Sequence, residues 1–243
     1  NNLAFQTDDS SASSGAVYVF TRTANTWSQQ TYVKAANSDA GDLFGYSVGL
    51  SADGNTMAVS AYDEDGSPRQ PNGIPDNLRG GSGAIYVFGR QAGAWSQQAY
   101  LKASNAENND SLGFAVSISQ DGNTVAAGAG DEDCLKPGIN IEGCDSDWRD
   151  DKSTGAVYVW FRENGVWRQQ AFIKASNPGQ DDNFGARLML SGDGNVLAVG
   201  AQLENGSAKG INGKDDDAAE DAGAIYFYTR TAGVWAQQAY VKG

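Results

Sequence analysis

Short apolar runs alternate with polar, glycine-rich segments along this chain, and the alternation is periodic. Residues 44–61 read FGYSVGLSADGNTMAVSA. The stretch returns as LGFAVSISQDGNTVAAGA at 112–129 and as FGARLMLSGDGNVLAVGA at 184–201. Each copy is two apolar runs joined by Asp-Gly-Asn, a hairpin signal, because Gly adopts positive φ without steric cost. A second hairpin pattern lies between these copies. It reads GAVYVFTRTANTWSQQTYVK at 15–34 and recurs at 83–102, 155–174 and 223–242. Its first glycines, Gly15, Gly83, Gly155 and Gly223, stand 68, 72 and 68 residues apart. A fixed order at a near-fixed period is the mark of a repeat architecture.

Residue types within each copy predict where the strands sit. Val17-Tyr18-Val19-Phe20 is continuously apolar, so both of its faces should be buried. The runs at 58–61, 126–129 and 198–201 are made mainly of small residues and are expected where sheets converge on an axis. The run at 27–34 is more polar and ends on Lys34, as an outer strand would. Trp27, Trp95, Trp167 and Trp235 hold one place in each copy. They are expected to plug the space between sheets, with a ligand-stacking platform as the alternative.

These features predict an all-β chain: a β-propeller of four-stranded antiparallel blades. The repeats fall at about 1–34, 44–102, 112–174 and 184–242. Three blades are complete. The first lacks its strand one, and residues 1–6, NNLAFQ, match strand two of the others. A parallel solenoid is the competing architecture, but its coils are shorter and need no Asp-Gly hairpins. The chain is expected to be a segment of a larger propeller, a four-bladed ring with one imperfect blade, or a unit whose missing strand comes from a partner by strand addition.

Composition narrows the function. The formal net charge is −13, with no His, which argues against a nucleic-acid partner, since Lys and Arg must offset phosphate charge. No apolar run approaches the roughly 18 residues of a membrane span. The two cysteines, Cys134 and Cys144, lie in one connection and are expected to pair if the compartment is oxidising; free thiols are the alternative. The connections at 62–82, 130–154 and 202–222 are long, polar and rich in Asp and Gly. Asp63 and Asp65 have counterparts in Asp131 and Asp133, which makes these four the candidate Ca²⁺ ligands. A solvated acidic surface is the other reading. Further acids crowd the same connections at Asp145, Asp147, Asp150, Asp151 and Asp215 to Asp217.

Catalytic signals are weak. Gly45-Tyr46-Ser47-Val48-Gly49 matches GxSxG, but that elbow needs a strand-to-helix turn and a His base. Paired carboxylates cleave glycosides only at a defined separation, which nothing in the sequence sets. Trp148 is the only Trp of the long connections and could stack on a sugar.

The Phe-Gly pairs at Phe44-Gly45 and Phe184-Gly185, the small-residue runs and the GAVYVF strand together resemble the FG-GAP repeat, found in integrin α-chain propellers and in bacterial surface or secreted proteins. WxQQxYxKA resembles the bacterial branch. The likeness spans nearly the whole chain. It implies that Phe44 starts strand one, Met57 strand two, Gly83 strand three and Trp95 strand four. It also implies an extracellular or cell-surface protein that adheres or assembles without catalysis, with a protein or glycan partner; a lectin or a polysaccharide-acting enzyme is the alternative. The DxDxDG calcium loop of integrin-like blades is cut here to Asp53-Gly54-Asn55, Asp121-Gly122-Asn123 and Asp193-Gly194-Asn195. One carboxylate in such a turn cannot supply the roughly six to eight oxygens that Ca²⁺ takes.

Overall fold

The structure is a computed structural model, and residues 10–144, 152–213 and 217–243 are described. Every regular element among them is a strand. The first sheet pairs β1 (Val17–Thr23) with β2 (Thr26–Val33). The second contains β3 (Val48–Leu50), β4 (Thr56–Ala61), β5 (Ala84–Gln91) and β6 (Ala94–Leu101), in that order. The third contains β7 (Leu112–Ile118), β8 (Thr124–Ala129), β9 (Ala156–Glu163) and β10 (Val166–Ile173), again as a meander. The fourth contains β11 (Phe184–Leu190), β12 (Val196–Ala201), β14 (Ala224–Thr231) and β15 (Val234–Lys242), with β13 (Gly210–Ile211) added beside β15. All neighbouring strands are antiparallel. These are propeller blades in the predicted order. The predicted strand two of the first copy, residues 1–6, lies outside the described residues.

Alternation within the strands explains how blades stack. In β5 and β9 both faces are buried. In β1 only the odd residues Val17 and Val19 are covered, and these face the second blade. In β14 the even residues Ala224, Tyr226 and Tyr228 are buried, and Ile225 is open. The two middle blades are thus sandwiched, and each end blade shows one face to solvent.

Junctions between blades are close. Phe44 N–H donates to Ser14 O at 3.1 Å, and the step repeats at Leu112 and Ser82 and at Phe184 and Thr154. The glycine after each acceptor lies against that same backbone. A Cβ on Gly83 would sit 2.2 Å from Leu112 O, which no side chain tolerates. Strand one of one blade also bonds strand one of the next. Val116 N–H donates to Ser47 Oγ at 3.1 Å, and Leu190 N–H to Ser117 Oγ at 3.0 Å. The GxSxG serine is therefore occupied in an inter-blade bond.

Several expectations need correction. The small-residue runs are strand two as expected, but they do not meet at the axis: they lie one step out from strand one. Their smallness admits the next blade's strand one: a Cβ on Gly128 would lie 1.9 Å from Gly185 O. Regular pairing of strand one in the second blade begins at Val48, whereas in the next two blades it begins at Leu112 and Phe184 and passes a bulge after them. Trp167 and Trp235 are buried as inter-blade plugs and Trp95 half-buried, but Trp27, with no blade on its far side among the described residues, is exposed. The lysines that end strand four are not exposed edge charges: Lys102, Lys174 and Lys242 are buried.

The long connections are clipped to the outer edge. Asn72, Asn140 and Asn212 all have positive φ. Each donates its backbone N–H to a strand-four carbonyl, at Tyr100, Phe172 and Tyr240, at 2.7–2.8 Å. Each side-chain oxygen accepts the same residue's N–H, at 2.8–3.0 Å. These paired bonds satisfy edge groups that a bare strand would leave open to aggregation.

Candidate functional site

The acidic connections are built around a buried ion pair. In each complete blade the Glu just past strand two meets the Lys that ends strand four. Lys102 Nζ lies 3.0 Å from Glu64 Oε2, 2.7 Å from Ser82 Oγ and 2.5 Å from Gly83 O. Lys174 pairs with Glu132 and Thr154, and Lys242 with Glu204. The carboxylate's other oxygen serves the blade before. Asn37 donates to Glu64 Oε1 at 3.1 Å and accepts from Tyr86 OH at 2.9 Å. Asn105 and Asn177 repeat this with Glu132 and Tyr158, and with Glu204 and Tyr226. Tyr100 and Tyr240 add a hydroxyl donor to Glu64 and Glu204, each at 2.7 Å. Phe172 stands there in the third blade, and in the second and third blades the N–H two residues on, of Gly66 and of Cys134, donates to the Oε2 of Glu64 and of Glu132. Burial pulls Lys102 and Lys174 below the ordinary lysine range, and the facing carboxylates oppose it.

Sequence reasoning missed this centre. It placed the lysines on an exposed edge and read the glutamates as part of an acidic cluster. The available signal was repetition: Glu64, Glu132 and Glu204 persist, while the flanking aspartates are lost in the last copy, Leu203-Glu204-Asn205.

The predicted ligands take different places. Asp65 Oδ1 accepts Gly81 N–H at 2.9 Å. Asp133 Oδ1 accepts Lys152 and Ser153 N–H at 2.8 and 3.0 Å. Each thus ties the far end of its connection to the start. Burial, then the Asp65 charge, raises the Asp63 carboxyl above the usual range. Asp63 and Asp131 both act electrostatically on Tyr62. Among the described residues no three His, Cys, Asp or Glu side chains gather as a metal site. A cation at Asp63 and Asp65 would draw its other oxygens from carbonyls and water. The turn aspartates are committed locally: Asp53 accepts from Ser51 Oγ, Asn55 N–H and Asn55 Nδ2. Asp121 and Asp193 do the same.

Cys134 and Cys144 form a disulfide with Cα atoms 5.2 Å apart. It is buried in the core shared by the second and third blades, and a loop of this size is stabilised by about 2–3 kcal/mol. Trp148 and Asp145, Asp147, Asp150, Asp151, Asp215 and Asp216 lie outside the described residues. Near Asp63, Tyr46, Tyr62 and Phe114 form an aromatic cluster, with ring centres 4.4 to 6.0 Å apart. Tyr46 and Phe114 also line an open cleft of about 650 Å³ between the inner strands, with Arg187 and Met189 opposite.

Two outcomes follow. Lys102→Met should cost about 3–5 kcal/mol in urea unfolding, because it strands Glu64 in the interior; adding Glu64→Leu should recover part of the loss. A single substitution with no effect would mean the pair is not a buried charge. The second concerns Asp42, which is pushed up to about 6, chiefly by burial. A raised carboxyl binds its proton more tightly when folded, so stability should fall as pH rises from about 4 to 6. Asp110 and Glu132 are shifted the same way by burial. Asp42→Asn should flatten that fall and add about 1–2 kcal/mol at pH 7.5. Urea midpoints across this range test it, and a variant with the same pH slope would refute the assignment.

The sequence pattern of the FG-GAP repeat family matches residues 27–88, 95–140 and 167–228, together more than half of the chain. A search of curated proteins found no match. Among solved structures, a candidate 6-phosphogluconolactonase from Bacteroides uniformis aligns with a TM-score of 0.50 at 11% identity, over 94% of this chain and 49% of that one. Sqt1 of Saccharomyces cerevisiae aligns with a TM-score of 0.43 at 9% identity, over 81% of this chain and 35% of that one. This chain therefore spans half or less of those structures, and at such identities the first likeness speaks to fold alone. The recurrent Phe-Gly junctions, the stacked blades and the family match agree: this chain belongs to the FG-GAP repeat family.

Proposed function

We propose that this chain is a non-catalytic interaction propeller of the cell exterior, which adheres or assembles through the face bearing its long connections. The observation that carries this reading is the way those connections are held. Each leaves the same end of its blade and is fastened at its base by a buried Glu–Lys pair and at its rim by an Asn clip. Connections 62–82 and 130–154 also bond the linker to the next blade, as in the pair of Arg69 with Glu107 at 2.9 Å. An acidic, multi-loop face whose described segments are tied down at base and rim suits a protein partner, because anchored segments lose less entropy on docking. The disulfide supports an oxidising compartment. No described helix is long and apolar enough to cross a membrane.

The aromatic cluster of Tyr46, Tyr62 and Phe114 favours a second reading, a glycan site with ring stacking and Asp63 nearby as an acceptor. Calcium fits either reading as a counter-charge for Asp63 with Asp65 and for Asp131 with Asp133, relieving crowded acids.

Binding arrays of extracellular proteins and of glycans, run beside a sugar-release assay, test these readings. Binding without sugar release is expected. Changing Asp63, Asp65, Asp131 and Asp133 together to Asn should abolish a protein contact, and Tyr46→Ala a glycan contact. Turnover of any polysaccharide would overturn the non-catalytic assignment. Millimolar Ca²⁺ should raise Tm by several degrees over a chelator control; an unchanged Tm removes the cation from the scheme.

A further inference from the structure

The third blade departs from the second and fourth at one linked pair of positions. In the second blade Tyr100 OH donates to Glu64 Oε1 at 2.7 Å, and the residue two past the glutamate is Gly66. A Cβ on Gly66 would lie 2.2 Å from that hydroxyl oxygen, so the tyrosine requires the glycine. The fourth blade keeps both, as Tyr240 and Gly206, with the same 2.7 Å bond to Glu204. In the third blade the tyrosine is replaced by Phe172 and the glycine by Cys134. Loss of the hydroxyl makes room for a side chain, and the side chain present is half of the disulfide to Cys144. The bridge thus stands where the neighbouring blades have a tyrosine hydroxyl.

The same bridge covers the seam between the second and third blades. Asn105, on the linker between them, donates to Glu132 Oε1 and to Cys144 O, both at 3.3 Å. Among the described residues, that second bond is the hydrogen bond tying 141–144 to another part of the protein. Lys136 reaches Glu142 O and Gly143 O at 3.1 and 2.8 Å, but from inside the disulfide ring. The preceding residues are held independently of the bridge. Gly138 O accepts Lys174 N–H at 2.9 Å, Asn140 is clipped to Phe172, and Cys134 O accepts Thr154 Oγ1 at 3.0 Å. Cys144 lines a cleft of about 250 Å³, together with Ser104, Asn105, Asn140, Ile141 and Phe172.

We propose that this disulfide is a redox-sensitive latch on the seam: a small dithiol entering the cleft reduces it and frees residues 141–144, while the Asn140 clip and the Glu132–Lys174 pair stay closed. One thiolate of the dithiol attacks Cys144 Sγ, the Sγ–Sγ bond breaks, and Cys134 leaves as a thiolate that takes up a proton. The second thiol of the reagent then displaces Cys144, so both cysteines end as thiols and the dithiol as a cyclic disulfide. With the bridge open, Glu132 has neither that cover nor the hydroxyl donor that Glu64 and Glu204 keep. The second blade, closed by Tyr100, does not respond to reduction. The inference is independent of what the loop face binds.

Hydrogen exchange of the full chain with and without dithiothreitol tests it, with thiol labelling to count opened cysteines. Reduction under native conditions should expose both thiols of the bridge. Exchange at 141–144 should then quicken about tenfold or more, while the matching centre of the second blade, at 64–67, keeps its rate. Phe172→Tyr supplies a second measurement. In the disulfide-bonded chain its hydroxyl meets the Cys134 Cβ, so Tm should fall. With Cys134→Gly and Cys144→Ala the hydroxyl should reach Glu132 as Tyr100 reaches Glu64, so Tm should rise above that of the cysteine-free chain. Thiols that stay closed in the native chain overturn the latch, as does unchanged exchange at 141–144 or equal quickening in both blades. A Phe172→Tyr effect of one sign in both backgrounds overturns the replacement of hydroxyl by disulfide.

Discussion

A β-sheet that is apolar on both faces is stable only between two others. This constraint governs the whole molecule. Val17 to Phe20 and its repeats have no polar face to give to water, so a blade cannot stand alone and must stack. The stack needs close approach, hence glycine at Gly15, Gly83 and Gly155, whose missing Cβ lets the next blade's backbone lie against them. It needs small residues in strand two, because the inner strand of the next blade crosses there. It needs a filler where blades diverge, which the strand-four tryptophans supply. Where a neighbour is lacking, the same residues are exposed, as Trp27 and Ile225 are.

Apolar stacking alone does not set angle or register; the polar network does. Each Glu–Lys pair closes one blade internally, and the Asn from the preceding linker ties that pair to the blade before. Burying a charge is costly unless every lone pair and proton is used. Here Ser, Tyr, Asn and backbone groups use them, so little freedom remains for one blade to slide on another. Among the described residues, the long connections are anchored at both ends by these centres and by the Asn clips.

Legibility followed locality. The blades, their strand order and the disulfide were readable, because hairpins, period-two patterning and two nearby cysteines are short-range features. Asp63, Asp65, Asp131 and Asp133 were legible as a repeated group. What they contact was not, since Gly81 and Ser153 reach them only through loop folding. The glutamate between them was the more consequential residue. Its partner stands 38 positions away for Glu64 with Lys102 and 42 for Glu132 with Lys174, and no spacing rule joins residues at such a distance. The Asn clips were hidden for the same reason: Asn72 resembles any loop Asn until its edge-strand partner is known.

The amino-acid sequence by itself determined that there would be repeated four-stranded antiparallel units, where their tight turns fall and which runs are buried, because these depend on the chemistry of neighbouring residues. Only the tertiary structure decided which strand lies innermost, that the Lys ending strand four is buried, and that the bulged glutamines Gln30, Gln98 and Gln170 join one blade to the next. Those outcomes depend on which sheet packs beside which, and a charge or an amide acquires its role from the partner that packing brings to it.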